Sequence, residues 1–265
     1  MSRGLLVIEE LVKSYVDSYT QEEVVAIEDL SFSVEEGELV AILGPSGCGK
    51  TTVLNIIAGF VEPTRGRVLL RGNPINAPGP DRGVVFQSFA LFPWKTVLGN
   101  VAFGLKMRGI PRKEREGVAN EYLDLVGLQG FANKYPHELS GGMQQRVGVA
   151  RVLANEPDVM LMDEPFASVD AQTRMKLQED LTRIWEERHP TIFFVTHDVE
   201  EAVFLSDRVI VLTPRPGRLR QIVDIDIRRP REWRRLVNDD SFRRTTQGII
   251  DLLGEERGAP REVAS

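Results

Sequence analysis

Short apolar runs alternate with amphipathic stretches along this chain. Leu5 to Val12 and Val24 to Val34 have the alternating apolar and polar positions of strands, and they flank a polar, acidic loop around Asp17 to Glu23. Glu38 to Leu43 is a compact apolar run ending in a glycine-rich turn, and Thr52 to Ala58 follows with helical spacing. Gly66 to Arg71 and Gly83 to Phe86 predict two further short strands, separated by a connection rich in Pro, Gly and Asn.

From about Phe89 to Phe131 the period becomes helical, with Val118, Tyr122, Leu125 and Val126 on one face. A second helix is predicted from Ser140, whose hydroxyl can cap free N–H groups, with Met143, Val147, Ala150 and Ala154 in one stripe. Val159 to Met162 and Thr191 to Thr196 read as buried strands, with a helix between them marked by Leu177, Leu181, Ile184 and Trp185. Asp198 and Glu201 resemble a capping pair for the next helix, and Arg208 to Thr213 reads as the last core strand. Phe242, Ile249, Ile250 and Leu253 predict a short amphipathic helix that docks on the rest of the chain. This rhythm implies an α/β fold whose mainly parallel sheet is covered on both faces, with the ligand site at the carboxyl ends of the strands.

Composition sharpens this picture. With 265 residues, 42% of them hydrophobic and 27% charged, the chain can bury a sizeable core without staples. Its single cysteine, Cys48, excludes internal disulfides and a cysteine metal cage, which points to a reducing compartment. No apolar run is long enough to span a membrane, and acids interrupt the N-terminus too early for a secretory signal. A net charge of -6 disfavours a dedicated duplex-DNA binder. Between Thr213 and Thr245, however, ten arginines face five acids, which reads as a solvated basic surface or a contact for a partner or anionic lipid.

Chemistry enters at Gly44-Pro45-Ser46-Gly47-Cys48-Gly49-Lys50-Thr51, a G-x-x-x-x-G-K-[ST] phosphate loop lying between a predicted strand and a predicted helix. Its backbone N–H groups and the helix N-terminus suit a polyphosphate, Lys50 suits the β- and γ-phosphates, and the Thr51 hydroxyl suits Mg²⁺. Thr52 completes the ATP-binding set. Asp163 and Glu164 leave the apolar strand Val159 to Met162 together; Asp163 suits a role on Mg²⁺, and Glu164 suits the orientation or deprotonation of an attacking water.

Leu139-Ser140-Gly141-Gly142-Met143-Gln144-Gln145-Arg146 resembles the signature sequence of the ABC ATPases, a serine cap and two glycines at a helix start. The resemblance covers about residues 5 to 215. It implies a P-loop NTPase core with an N-terminal antiparallel β subdomain and a helical insertion at about 89 to 155. All of this lies in one ABC ATPase domain spanning residues 1 to 265, with an arginine-rich tail from about 216. It further implies that Ser140, Gly141, Gly142, Met143 and Gln144 act on the ATP of a second copy in a head-to-tail homodimer. Met143 stands where the commonest form of the motif has glutamine.

By the same resemblance Gln87 is the Q-loop glutamine at Mg²⁺ and the attacking water, Asp170 the D-loop aspartate and His197 the switch histidine at the γ-phosphate. Tyr15 is the adenine-stacking aromatic, with Tyr19 as the fallback. Phe92 and Trp94 meet the membrane permease, whereas His137, Trp185 and Trp233 read as packing residues.

Leu91-Phe92-Pro93-Trp94, Val101 to Leu105 and Thr213 to Arg218 resemble the nitrate, sulfonate and taurine importer group. That implies an ATP-hydrolysing subunit on the cytoplasmic face of the inner membrane, dependent on ATP and Mg²⁺. It would drive a separate permease, fed by an extracytoplasmic solute-binding protein, with no nucleic acid partner. The alternative is a soluble ABC protein acting on nucleic acid or ribosomes, a class in which two cassettes or a long coiled coil are common.

Overall fold

The computed structural model describes residues 4–16 and 21–254. Its first two strands, β1 (Leu6–Val16) and β2 (Glu23–Val34), pair antiparallel, and β1 extends four residues beyond the apolar run that predicted it. Register shifts between Ile8 and Ser14 break the simple alternation, so the pairing carries polar residues such as Lys13 and Ser14 into the strand. β3 (Leu39–Leu43) leads into helix α1 (Lys50–Ala58), followed by β4 (Arg65–Leu70), β5 (Asn73–Pro74) and β6 (Arg82–Val85). Among the described residues β1, β2, β4 and β5 form an antiparallel sheet of order β2-β1-β4-β5.

The segment after β6 departs from its helical reading. Phe89 and Ala90 have φ of 61° and 45°, left-handed values that end any helix, and Pro93 biases Phe92 away from helical geometry. Helices begin only at α2 (Val97–Val101), capped by the Thr96 hydroxyl, and continue as α3 (Phe103–Met107) and α4 (Arg112–Leu125). Next come α5 (Gly141–Leu153), β7 (Val159–Asp163), α6 (Ala171–Arg188), β8 (Ile192–Thr196), α7 (Val199–Leu205) and β9 (Arg208–Leu212).

The second sheet has the order β10-β9-β3-β8-β7-β6, and its last five strands are parallel. Its edge, β10 (Leu219–Asp224), runs antiparallel to β9. β9 is therefore not the last core strand, contrary to the sequence reading. Alternation divides the core in two. Leu39, Ala41 and Leu43 face a cluster with the helices, whereas Val40 and Ile42 face one shared with α1 and the antiparallel sheet.

The arginine-rich segment is also more internal than its composition implies. Arg231 is 4% exposed and donates to the carbonyls of Ile227, Val203, Phe204 and Ser206, closing the C-terminus of α7. Burial pushes this guanidinium down to about 10, so it remains charged at neutral pH. Arg229 lies 4.0 Å over the Trp185 ring and pairs with Asp207. Helices α8 (Trp233–Leu236) and α9 (Asp240–Gly254) then pack on the core through Trp233, Phe242 and Ile249, while Ile250 is exposed.

Candidate functional site

The five parallel strands end along one edge of the sheet. β3 passes from Leu43 into the loop Gly44 to Gly49, and α1 starts at Lys50. Gly49 has φ 100°, and a Cβ there would lie 2.5 Å from Ile27 Cδ1 and 3.0 Å from the Ala26 carbonyl, so only glycine fits the turn. Lys50 is buried, and its Nζ donates to the carbonyls of Gly44 at 2.7 Å and Pro45 at 3.1 Å. Pro45, Ser46, Gly47 and Thr51 are exposed and Thr52 is half-buried, so the loop presents its tip and first helical turn to solvent. Cys48 is buried, and desolvation pushes its thiol above the ordinary range, so its side chain packs inward beneath the loop.

β7 brings the carboxylates to the same edge. The Thr51 hydroxyl donates to Asp163 Oδ1 at 3.2 Å. Desolvation raises the Asp163 carboxyl above its usual value, aided by Glu164 and opposed by the Thr51 hydrogen bond and Lys50. Glu164 takes φ 43°, a left-handed value uncommon outside glycine, while its N–H still donates to Val195 O of β8. The bend brings Glu164 Oε2 to 3.1 Å from His197 Nδ1, at the exit of β8.

The start of α5 lies beside Phe89 and Val169, each within 4 Å of a Cβ placed on Gly141. Ser140 Oγ accepts from Met143 N at 3.4 Å, and the Gln144 amide donates to the Pro136 and Leu139 carbonyls, bracing the turn within its own chain. A Cβ on Gly142 would come 2.6 Å from Thr173 Cγ2 of α6, so this glycine permits a close helix approach, while Gly141 and Ser140 are exposed. Met143 is half-buried against the helical core.

Comparison with known proteins decides the family. The ABC transporter family matches residues 27–167. An uncharacterized ABC transporter ATP-binding protein of Methanocaldococcus jannaschii is 55% identical over 95% of this chain and 92% of its own length. A taurine import ATP-binding protein of Pseudomonas putida is 45% identical over 98% and 100%, and a nitrate import ATP-binding protein of Synechococcus elongatus is 45% identical over 86% and 85%. A solved dimeric ATP-binding cassette in a post-hydrolysis state, bound to ADP and Pi, superposes with a TM-score of 0.71 at 34% identity, covering 84% of this chain and all of that one.

This chain belongs to the ABC transporter ATP-binding family. It is an ATP-binding and ATP-hydrolysing cassette, and the expected fold class holds.

The remaining predicted residues lie on several elements. Gln87 is exposed just beyond β6, and its carbonyl accepts from Ser168 Oγ at 3.3 Å. Asp170 caps α6 through Thr173 N at 3.0 Å, and that bond lowers its carboxyl. Tyr15 is 42% exposed near the end of β1, where Lys13 Nζ lies 5.0 Å from its ring. Tyr19 lies outside the described residues. His137 stacks on Tyr135, and Trp185 and Trp233 are buried, in keeping with packing roles.

Phe92 lines a groove of about 780 Å³ with Phe103, Met107 and Arg151, and Trp94 beside it is 72% exposed. Two groups not singled out from sequence hold this region. Asn100, fully buried, accepts from Phe92 N and donates to the carbonyls of Phe92, Lys95 and Thr96. Arg151 clamps the carbonyls of Phe89 and Ala90. A lone amide within the apolar Val97 to Val101 helix was the available signal for Asn100.

The capping pair at α7 is only half formed. Asp198 Oδ1 accepts from Glu201 N at 3.1 Å, but the Glu201 side chain turns inward to Thr196 and Gln178 instead of back to Asp198.

Proposed function

We propose that this chain is the ATPase of an importer for small solutes of the taurine, sulfonate or nitrate kind, working as a head-to-tail homodimer. In each copy Lys50 and the loop amides hold the phosphates, Glu164 takes the proton of the attacking water, and His197 steadies the γ-phosphate. Ser140 to Gln144 of one copy close over the nucleotide of the other. The observation that carries this reading is the 3.1 Å Glu164–His197 pair, set at the same sheet edge as the Thr51–Asp163 hydrogen bond.

Mg²⁺ fits the donor set. Thr51 and Asp163 offer hard oxygen atoms in contact beside the phosphate loop, and Mg²⁺ is commonly bound by one or two protein oxygens together with phosphates and water. Thr51, Asp163 and Gln87 would hold it, and it would supply charge neutralisation on the phosphate oxygens.

Tyr15 would stack on the adenine. No helix among the described residues is long and apolar enough to cross a membrane. On this reading transport falls to a permease seated on the Phe92 and Trp94 groove, with the cassette peripheral on the cytoplasmic face and a solute-binding protein outside choosing the cargo.

Glu164→Gln tests the catalytic assignment. The variant should lose multiple-turnover hydrolysis, retain ATP binding and accumulate as an ATP-bound dimer on size exclusion; near-normal turnover would overturn the role. Mixed dimers of Ser140→Ala and Lys50→Ala chains should regain one intact site, and failure to do so would remove the composite arrangement. Copurification with the permease, followed by solute-stimulated hydrolysis, tests the cargo.

A further inference from the structure

A second polar chain, buried behind His197, is left unused by the ATP chemistry. It begins at α8, where the Trp233 ring stacks on Phe204 at 4.2 Å. Trp233 Nε1 donates to Gln178 Oε1 at 2.9 Å, and Gln178 Nε2 donates to Glu201 Oε1 at 2.7 Å. From the other side the Thr196 hydroxyl donates to Glu201 Oε2 at 2.5 Å, while Thr196 Oγ1 accepts from Asp198 N at 3.0 Å. Gln178, Glu201, Thr196 and Trp233 are all at least nine-tenths buried.

With Glu201 ionised the chain has one direction. An indole N–H only donates, so Gln178 turns its oxygen to Trp233 and its NH₂ to Glu201. Thr196 receives the Asp198 N–H, which leaves its hydroxyl proton for Glu201. The carboxylate accepts on both oxygens and terminates both arms. Thr196 and Asp198 are the two neighbours of His197, so the second arm starts from the backbone that carries the imidazole.

The side chains hydrogen-bonded to Glu201 are neutral, and desolvation disfavours its charge by more than those bonds and the nearby Arg174 offset, so an apolar side chain would fill the space more cheaply. Its position is explained by geometry rather than stability. Arg231 fastens the opposite end of α7, so the C-terminal segment holds this helix at both ends.

We propose that Glu201, Gln178 and Trp233 are positioning residues for His197: by holding Thr196 and Asp198 they keep Nδ1 within reach of Glu164, and so make hydrolysis depend on the C-terminal segment docked against α7. The proposal rests on the reading of Glu164 and His197 as the catalytic pair.

The test uses the full chain and measures kcat, ATP Kd and Tm, with turnover read well below the melting range. Trp233→Phe keeps the ring against Phe204 and deletes one N–H; kcat should fall about 3- to 10-fold, the range a single hydrogen bond supplies, with ATP Kd unchanged. Glu201→Gln should reduce kcat further, because its NH₂ either opposes the Gln178 NH₂ or displaces the Thr196 hydroxyl proton from its acceptor. Gln178→Glu alone sets two carboxylates face to face and should not help. The double variant Gln178→Glu/Glu201→Gln moves the charge one step along the chain while every donor still meets an acceptor, and it should recover kcat above Glu201→Gln.

His197→Ala separates the two levels. Wild-type turnover in that variant would bring down the catalytic pair itself. If His197→Ala is inactive while Trp233→Phe and Glu201→Gln keep wild-type kcat, the positioning role is overturned and the pair stands. Lowered Tm with unchanged kcat, or no recovery in the double variant, overturns it equally. Should Glu201→Gln fail to fold, Trp233→Phe decides alone.

Discussion

The Thr51 hydroxyl donates to Asp163 Oδ1 across 3.2 Å, although 112 residues separate the two in sequence. That bond fastens the phosphate loop to the exit of β7 and ties the proposed metal site to a desolvated carboxyl. Because the folded chain raises this carboxyl above its usual value, it holds the proton more tightly than the unfolded chain does. The stabilising contribution is full below the unfolded value and is lost as pH rises through the folded one. Asp163→Asn, whose amide oxygen still accepts from Thr51, should therefore melt higher than the wild type at pH 8, with the gap narrowing on acidification. Hydrolysis should fall more than about 100-fold, the scale of losing a charged group at a phosphoryl-transfer site. A Tm at or below wild type at pH 8, or wild-type turnover, would contradict this account.

Gly49→Ala should abolish nucleotide binding and destabilise the chain by about 1–2 kcal/mol, from the left-handed backbone alone. The contact with Ile27 Cδ1 adds to that figure unless β2 yields. Urea unfolding and titration with a fluorescent ATP analogue measure both. Unchanged binding would mean that the loop tolerates a side chain at its tightest turn.

Arg231→Ala should cost at least about 2 kcal/mol, because it leaves buried carbonyls at the end of α7 without donors. Arg231→Lys should recover little, since an ammonium cannot reproduce the planar fork. Equal stability of the lysine variant and the wild type by chemical denaturation would show that charge, not geometry, is what the site requires.

Trp94→Ala removes a side chain that is 72% exposed, so the change in stability should stay within about 0.5 kcal/mol. Hydrolysis by the isolated cassette should be unaffected. Cosedimentation with membranes carrying the permease should fall, and a variant that sediments as well as wild type would remove Trp94 from the docking surface.

Where local signals were strong, the chain was readable. The phosphate loop, the buried strands β3, β7 and β8, and the Ser140 cap are contiguous patterns whose physics is settled within a few residues. Readings failed where distant partners intervene. β1 continues through Lys13 and Ser14 because β2 lies alongside, and Phe89 to Lys95 is a loop because Asn100 and Arg151 hold its carbonyls. β10 was missed because an edge strand needs a neighbour more than a pattern.

The chemical inventory of the site lies in the sequence itself: a lysine and hydroxyls on a glycine loop, two carboxylates after an apolar strand, a histidine after another. These follow from residue type and spacing along single elements. Tertiary structure alone decided that Glu164 would bend through a left-handed turn to meet His197, that Asp163 would meet Thr51, and that Arg231 and Glu201 would be buried. Burial of a charge depends on which donors and carbonyls other elements bring to it, and no local pattern records that.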